Sequence, residues 1–313
     1  MTLLEQRQVP HTTTTKTMNP NLLSRLLPKP TSKIRVYLVR HGETNWNLRG
    51  KIQGGGYDVP LNDTGRDQAQ RAARALSGIP LDAVASSSLS RAKETADILW
   101  ERQVSEADAN STKPLRIVNE GFNEMRFGVF EGFEYRRKDK LKESSDTKLP
   151  NPTLIRQERF LVARKKNEQD RDYCFPSEDQ IYQDHHSSGD HDDKDEAYRI
   201  DQGTRMGEST NLVESRALEA LSQTIEKVLE KQLDPTGIDS NDTKHVAIVS
   251  HGRTNKILLA AMLSSESVIR QSNTSINVVD HPGPEEGKNW KSGWIAQLLN
   301  YTNHITGDKS TER

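Results

Sequence analysis

Apolar residues in this chain fall into short runs separated by stretches of helical spacing. Residues 34–39 read IRVYLV, a β-branched apolar run of the length a buried strand needs. The stretch LNDTGRDQAQRAARALSG (61–78) predicts a helix: Asn62 or Thr64 can cap it, its Ala, Leu and Arg favour it, and Gly78 can close it. DAVASS (82–87) reads as a second short strand. SLSRAKETADILWERQ (88–103) follows with Leu89, Ala92, Ala96 and Leu99 at helical spacing, and LRIVNE (115–120) reads as a third strand. Strand alternating with helix is the pattern of a parallel sheet with crossover helices. The alternation resumes at 209–231, where Leu212, Leu218, Leu221, Ile225 and Leu229 line one side of a long amphipathic helix. HVAIVS (245–250) is another buried strand and RTNKILLAAML (253–263) another helix. SINVVD (275–280) and GWIAQLLN (293–300) close the series around the turn-rich HPGPEEGKN.

These elements predict an α/β fold: a three-layer sandwich with a mostly parallel central sheet and helices on both faces. Between Tyr135 and Gly207 the order breaks down into Lys, Arg, Asp, Glu, Ser and Gln with few periodic apolar positions. Residues 133–206 therefore read as a long polar insertion in a 34–300 domain, either a lid or a disordered segment, with helical potential around TLIRQERFLVARKK. Residues 1–33 hold one acidic residue, Glu5, among Thr, Ser, Lys and Arg. That composition suits a disordered tail or an organellar transit segment. Residues 301–313 read as a C-terminal tail.

Composition narrows the class. Of 313 residues, 32% are apolar and 28% charged, which fits a compact core diluted by polar segments. A net charge of −1, with no basic stripe interleaved with aromatics, argues against a nucleic-acid partner. The single cysteine, Cys174, rules out a disulfide framework within the chain and a Cys-based metal site, and fits a reducing, cytoplasmic location. No run of eighteen apolar residues predicts a membrane span.

The candidate chemistry sits at strand ends. Arg40-His41-Gly42 follows the first strand, and Ser250-His251-Gly252 follows a later one, where ligands bind in open α/β sheets. Two imidazoles beside a guanidinium suit an anion better than a metal ion, because the Arg repels a cation and forms a rigid fork for phosphate oxygens. Arg91 opens the helix after the second strand, where backbone N–H groups and the helix dipole also favour an anion. NEGFNEMRFGVFEG, after the third strand, supplies Glu120, Glu124 and Glu131. A carboxyl beside a bound anion is pushed toward its protonated form and can serve as a proton donor. The acidic run SSGDHDDKDE lacks the glycine and terminal glutamate of a calcium loop and reads as a solvated charge run, as do the nearby His185, His186 and His191. GGGYD (54–58) is a flexible turn, since no Gly-Lys-Ser/Thr follows it.

LVRHGETNWN, SSSLSRAKET, NEMRFGVFEG, GES (207–209) and VSHG occur in the order seen in the histidine phosphatase superfamily, also called the phosphoglycerate-mutase-like family. The resemblance covers roughly residues 34–132 and 203–300. It implies that His41 is a nucleophile that carries a covalent phosphohistidine. It further implies that Glu124 is the proton donor and that Arg40, Arg91, His251 and Asn47 bind phosphate, while Gln53 and Gly54 line the pocket mouth. It implies neither a metal nor another cofactor. The glycolytic mutases of this family carry Glu-Arg-His-Tyr-Gly at the acid segment, whereas this chain reads Glu124-Met125-Arg126-Phe127-Gly128. The chain is therefore similar to the phosphatase branch, which acts on small phosphorylated metabolites. A phosphoglycerate-type mutase is the alternative, and a non-catalytic module that holds a phosphorylated ligand is the second. Oligomeric state and substrate are not legible.

Overall fold

The computed structural model describes residues 22–30, 32–107, 112–135, 152–176, 206–231, 242–265, 271–283 and 290–306. In chain order these form α1 (Leu22–Leu26), β1 (Ile34–Arg40), α2 (Asn45–Arg49), α3 (Asp63–Ala75), β2 (Ala83–Ser86), α4 (Ser90–Glu106) and β3 (Leu115–Val118). Two 3₁₀ turns follow (Glu120–Phe122 and Gly128–Phe130), then α5 (Pro152–Gln169), α6 (Thr210–Glu230), β4 (Lys244–Ser250) and α7 (Gly252–Leu263). The described chain ends with β5 (Ile276–His281), β6 (Ile295–Tyr301) and α8 (Asn303–Thr306).

The six strands form one sheet in the order β3-β2-β4-β1-β5-β6. β3, β2, β4 and β1 run parallel, while β5 pairs antiparallel with β1 and β6 antiparallel with β5. Alternation along each strand sends side chains to opposite faces. Ile34, Val36 and Leu38 join Val246, Ile248 and the apolar faces of α6 and α7 on one side. Tyr37 and Val39 join Ala247, Val249 and the small-residue faces of α3 and α4 on the other. Burying each large apolar side chain contributes roughly 1.5–3 kcal/mol. The sheet is thus the middle of three layers, as the strand and helix order predicts.

Local differences have local causes. α3 ends at Ala75, because the chain turns through Gly78 at φ 78°, a left-handed conformation that suits glycine. β3 stops at Val118, where Asn119 caps the first 3₁₀ turn by accepting from Gly121 N. Within the segment expected as an N-terminal tail, α1 buries Leu23 completely against the Tyr37 and Val39 face. At the other end, His304 of α8 is buried and stacks on Tyr301. Within the polar insertion, α5 lies over the 127–130 turn, where Phe160 and Phe175 pack with Phe127 and Phe130. The rest of the insertion, with His185, His186 and His191, and residues 1–21 lie outside the described residues. No helix among the described residues is long and apolar enough to cross a membrane.

Candidate active site

Strand register brings the two His-Gly pairs together. β1 and β4 are parallel neighbours with Arg40 opposite Ser250, and His41 N donates to Ser250 O at 2.9 Å. His41 and His251 therefore leave adjacent strand ends side by side, with ring centroids 5.1 Å apart. Both are buried, at 3% and 0% exposure.

Hydrogen bonds fix the tautomers. A carbonyl can only accept, so the 2.6 Å contact from His41 Nδ1 to Gly42 O places the proton on Nδ1 and leaves Nε2 as a bare lone pair. Burial, with Arg91 and Arg40 alongside, holds this imidazole well below its ordinary pKa and so neutral. His251 Nε2 lies 2.8 Å from Ser87 Oγ. Ser87 spends its own proton on Asn123 Oδ1 at 2.7 Å, so Nε2 is the donor. His251 Nδ1 is buried and has no hydrogen-bond partner. Burial and then Arg91 hold His251 well below its ordinary pKa as well.

Arg91 is fully buried in the first turn of α4. Its terminal nitrogens donate to Tyr57 O at 3.0 Å and Gly54 O at 3.1 Å, while its Nε has no partner. Burial brings its pKa down to about 10, with Glu124, Asp58 and Glu131 acting against the fall, so it stays charged at neutral pH. Arg40 donates to Gln271 O at 2.8 Å.

Two helix N-termini at the site are capped from a distance. Neither Leu89, before α4, nor His251, before α7, caps with its own side chain. Asp58 Oδ1 accepts instead from Ser90 N at 2.6 Å. At α7 the cap is Glu124, whose Oε1 accepts from Thr254 N at 3.0 Å and whose Oε2 accepts from Arg253 N at 3.1 Å. Glu124 is 6% exposed and is tied directly to the helix that His251 precedes. Its loop is held from behind by Arg216, which donates to Gly121 O and Asn123 O at 2.7 and 2.8 Å and pairs bidentately with Glu208.

Asn47 and Gln53 form the next layer. Asn47 Nδ2 and Thr44 Oγ1 both donate to Gln53 Oε1, at 3.0 and 2.8 Å, and Gln53 Nε2 is buried without a partner. Three orphaned donors or acceptors, Arg91 Nε, His251 Nδ1 and Gln53 Nε2, thus come from three separate segments.

Residues 36–164 match the sequence model of the histidine phosphatase superfamily (branch 1). Over that segment, less than half of its length, the chain is similar to this superfamily. It is 40% identical over 108 residues to phosphoglycerate mutase-like protein 4 of Arabidopsis thaliana, covering 34% of this chain and 43% of that one. It is 39% identical over 106 residues to the uncharacterized phosphatase PhoE of Bacillus subtilis, covering 34% and 49%. It is also 38% identical over 109 residues to fructose-2,6-bisphosphatase TIGAR B of Danio rerio, covering 35% and 39%. The chain thus spans less than half the length of these relatives. A solved mycobacterial glucosyl-3-phosphoglycerate phosphatase shares the fold, with a TM-score of 0.55 at 21% identity, over 86% of this chain and 99% of that one.

The structure draws Arg40, His41, Arg91, Glu124 and His251 around one set of strand ends. Asn47 is linked to this set through Asn273, whose Nδ2 donates to both His41 O and Asn47 Oδ1, and Gln53 follows behind Asn47. Gly54 contributes its carbonyl to Arg91. Ser87, Asn123, Thr254, Arg216 and Glu208 escaped the sequence reading as supporting residues. SSSL and GES were visible as motif letters, but nothing in them says which histidine or loop they brace.

Proposed function

We propose that this chain hydrolyses phosphate monoesters of small metabolites through a covalent phosphohistidine on His41. The observation that carries the reading is the tautomer lock: a buried, neutral imidazole with Nδ1–H on Gly42 O presents a bare Nε2 amid Arg40, Arg91 and His251. In the first step the Nε2 lone pair attacks phosphorus and the ester P–O bond breaks. The departing alkoxide takes a proton from Glu124. The imidazole becomes an N-phosphorylated cation, and Gly42 O, accepting from Nδ1–H, stabilises that charge. In the second step water attacks phosphorus and gives its proton to the Glu124 carboxylate. The N–P bond breaks, releasing phosphate and neutral His41. Arg40 and Arg91 oppose the charge on the three equatorial oxygens throughout, and His251 joins them when the bound phosphate draws a proton onto its unpartnered Nδ1.

Met125 and Phe127 favour water over a sugar acid as the final acceptor. They stand where the mutases carry Arg and Tyr, yet Met125 is fully buried and Phe127 packs edge-on against Phe160 and Phe175. Neither can hold a substrate carboxylate. The deciding experiment measures phosphate release from p-nitrophenyl phosphate with and without 2,3-bisphosphoglycerate, alongside trapping of an acid-labile phosphoprotein. Hydrolysis without the bisphosphate, with label on the protein, is expected. Isomerisation of phosphoglycerate that depends on the bisphosphate would reverse the assignment to a mutase. Phosphate binding with neither turnover nor label would make the chain a binding module.

A further inference from the structure

Glu131 is a buried carboxylate that the proposed chemistry does not use. It is 3% exposed, and its side chain lies beneath two loops. Oε1 accepts from Phe127 N at 2.7 Å and Oε2 from Gly56 N at 3.0 Å. The glycine loop fits tightly over it. A Cβ on Gly54 would lie 2.1 Å from Oε1, and one on Gly56 2.8 Å from Oε2. A side chain at either position would have to displace the carboxylate, and at Gly54 would also meet the Met125 carbonyl. The same loop holds Arg91, through Gly54 O and Tyr57 O. The chain of contact therefore runs from Glu131 to the 54–57 backbone and on to the guanidinium.

We propose that Glu131 is a positioning residue for phosphoryl transfer: it clamps the 54–57 loop to the 127 turn and thereby fixes the direction in which Arg91 presents its guanidinium. The inference rests on the phosphatase reading of the site. Burial raises the Glu131 pKa to about 7, against the pull of its two backbone hydrogen bonds and of Arg91 and Arg126, the charged groups facing it. Once protonated, one oxygen carries a hydrogen and both accept more weakly than a carboxylate does, so the two clamps are loosened. A second effect runs the other way, because removing negative charge beside Arg91 favours an incoming anion. The first effect acts on orientation and so on kcat, and the second on binding and so on KM.

The test compares the wild type with E131Q and E131D on p-nitrophenyl phosphate between about pH 5.5 and 8.5, with thermal midpoints recorded for each. E131Q keeps the size but turns an amide NH₂ toward one of the two N–H groups. At pH 8 its kcat should fall by about tenfold or more while KM stays level or drops. The wild type should show an acid limb in kcat with a midpoint near 7. E131Q should lack that limb and E131D should restore it. A kcat within twofold of wild type, or a lower thermal midpoint with the limb unmoved, overturns the proposal. Should E131Q not fold, a wild-type profile flat down to pH 6 overturns it alone. A wild type that neither hydrolyses the ester nor binds inorganic phosphate overturns the phosphatase reading and this inference together. An active wild type with an indifferent E131Q overturns only the role of Glu131.

Discussion

At the residue scale, the site depends on where single protons sit. His41 can attack because its Nδ1 proton is committed to Gly42 O, so substituting it removes the nucleophile and not merely a contact. H41A is expected to abolish p-nitrophenyl phosphate turnover and phosphoenzyme labelling. Retained turnover would reject the covalent route. Glu124 acts on the leaving group, so its value depends on how poor that group is. E124Q should slow alkyl esters by roughly two to four orders of magnitude and p-nitrophenyl phosphate much less. Equal losses on both would mean that the carboxylate serves chiefly as the cap of α7.

At the element scale, helices are positioned by close backbone approach and by distant caps. A Cβ on Gly65, in the first turn of α3, would lie 2.1 Å from Glu43 O, just past the segment that carries His41. G65A is therefore expected to destabilise the protein by about 1–3 kcal/mol in a denaturant titration and to lower kcat by displacing residues 41–43. Stability equal to wild type would show that α3 has room to retreat. α5 is held by apolar contacts, with Phe160 buried between Phe127, Phe130 and Phe175. F160A should loosen that helix, raising KM for bulky metabolite esters while p-nitrophenyl phosphate kcat holds. Unchanged KM values across a panel of sugar phosphates would show that α5 does not shape the rim.

At the scale of the whole molecule, buried histidines make folding depend on pH. All five described histidines have pKa values held below the ordinary value, burial being the first cause in each case. His304 falls from 6.5 to about 4. The unfolded chain then binds more protons than the folded one between these values, so stability rises with pH across that window and is lost as pH drops through it. For His304 alone the contribution is about 3 kcal/mol. Glu131, raised to about 7, has the opposite sign and loses stability as pH rises from 4.5. The histidines outnumber it, so the thermal midpoint should fall as pH is lowered from about 6.5 to 4, and H304Q should flatten that slope. A midpoint insensitive to pH in this range would contradict the burial of these rings.

Much of this was legible in the one-dimensional pattern. Runs such as IRVYLV and HVAIVS are too apolar and too short to be anything but buried strands, and the helices between them carry their caps and breakers nearby. The sequence alone determined the alternation of strand and helix, the two His-Gly pairs at strand ends and the order of the motif blocks, because these depend on neighbours along the chain. Only the tertiary structure decided that β1 and β4 are adjacent with Arg40 opposite Ser250, that β5 and β6 run against β1, that Asp58 and Glu124 cap helices far from them in sequence, and that Glu131 lies beneath the glycine loop. Strand order and register come from packing two faces of a sheet at once, and a hydrogen bond between residues many positions apart leaves no local periodicity to read.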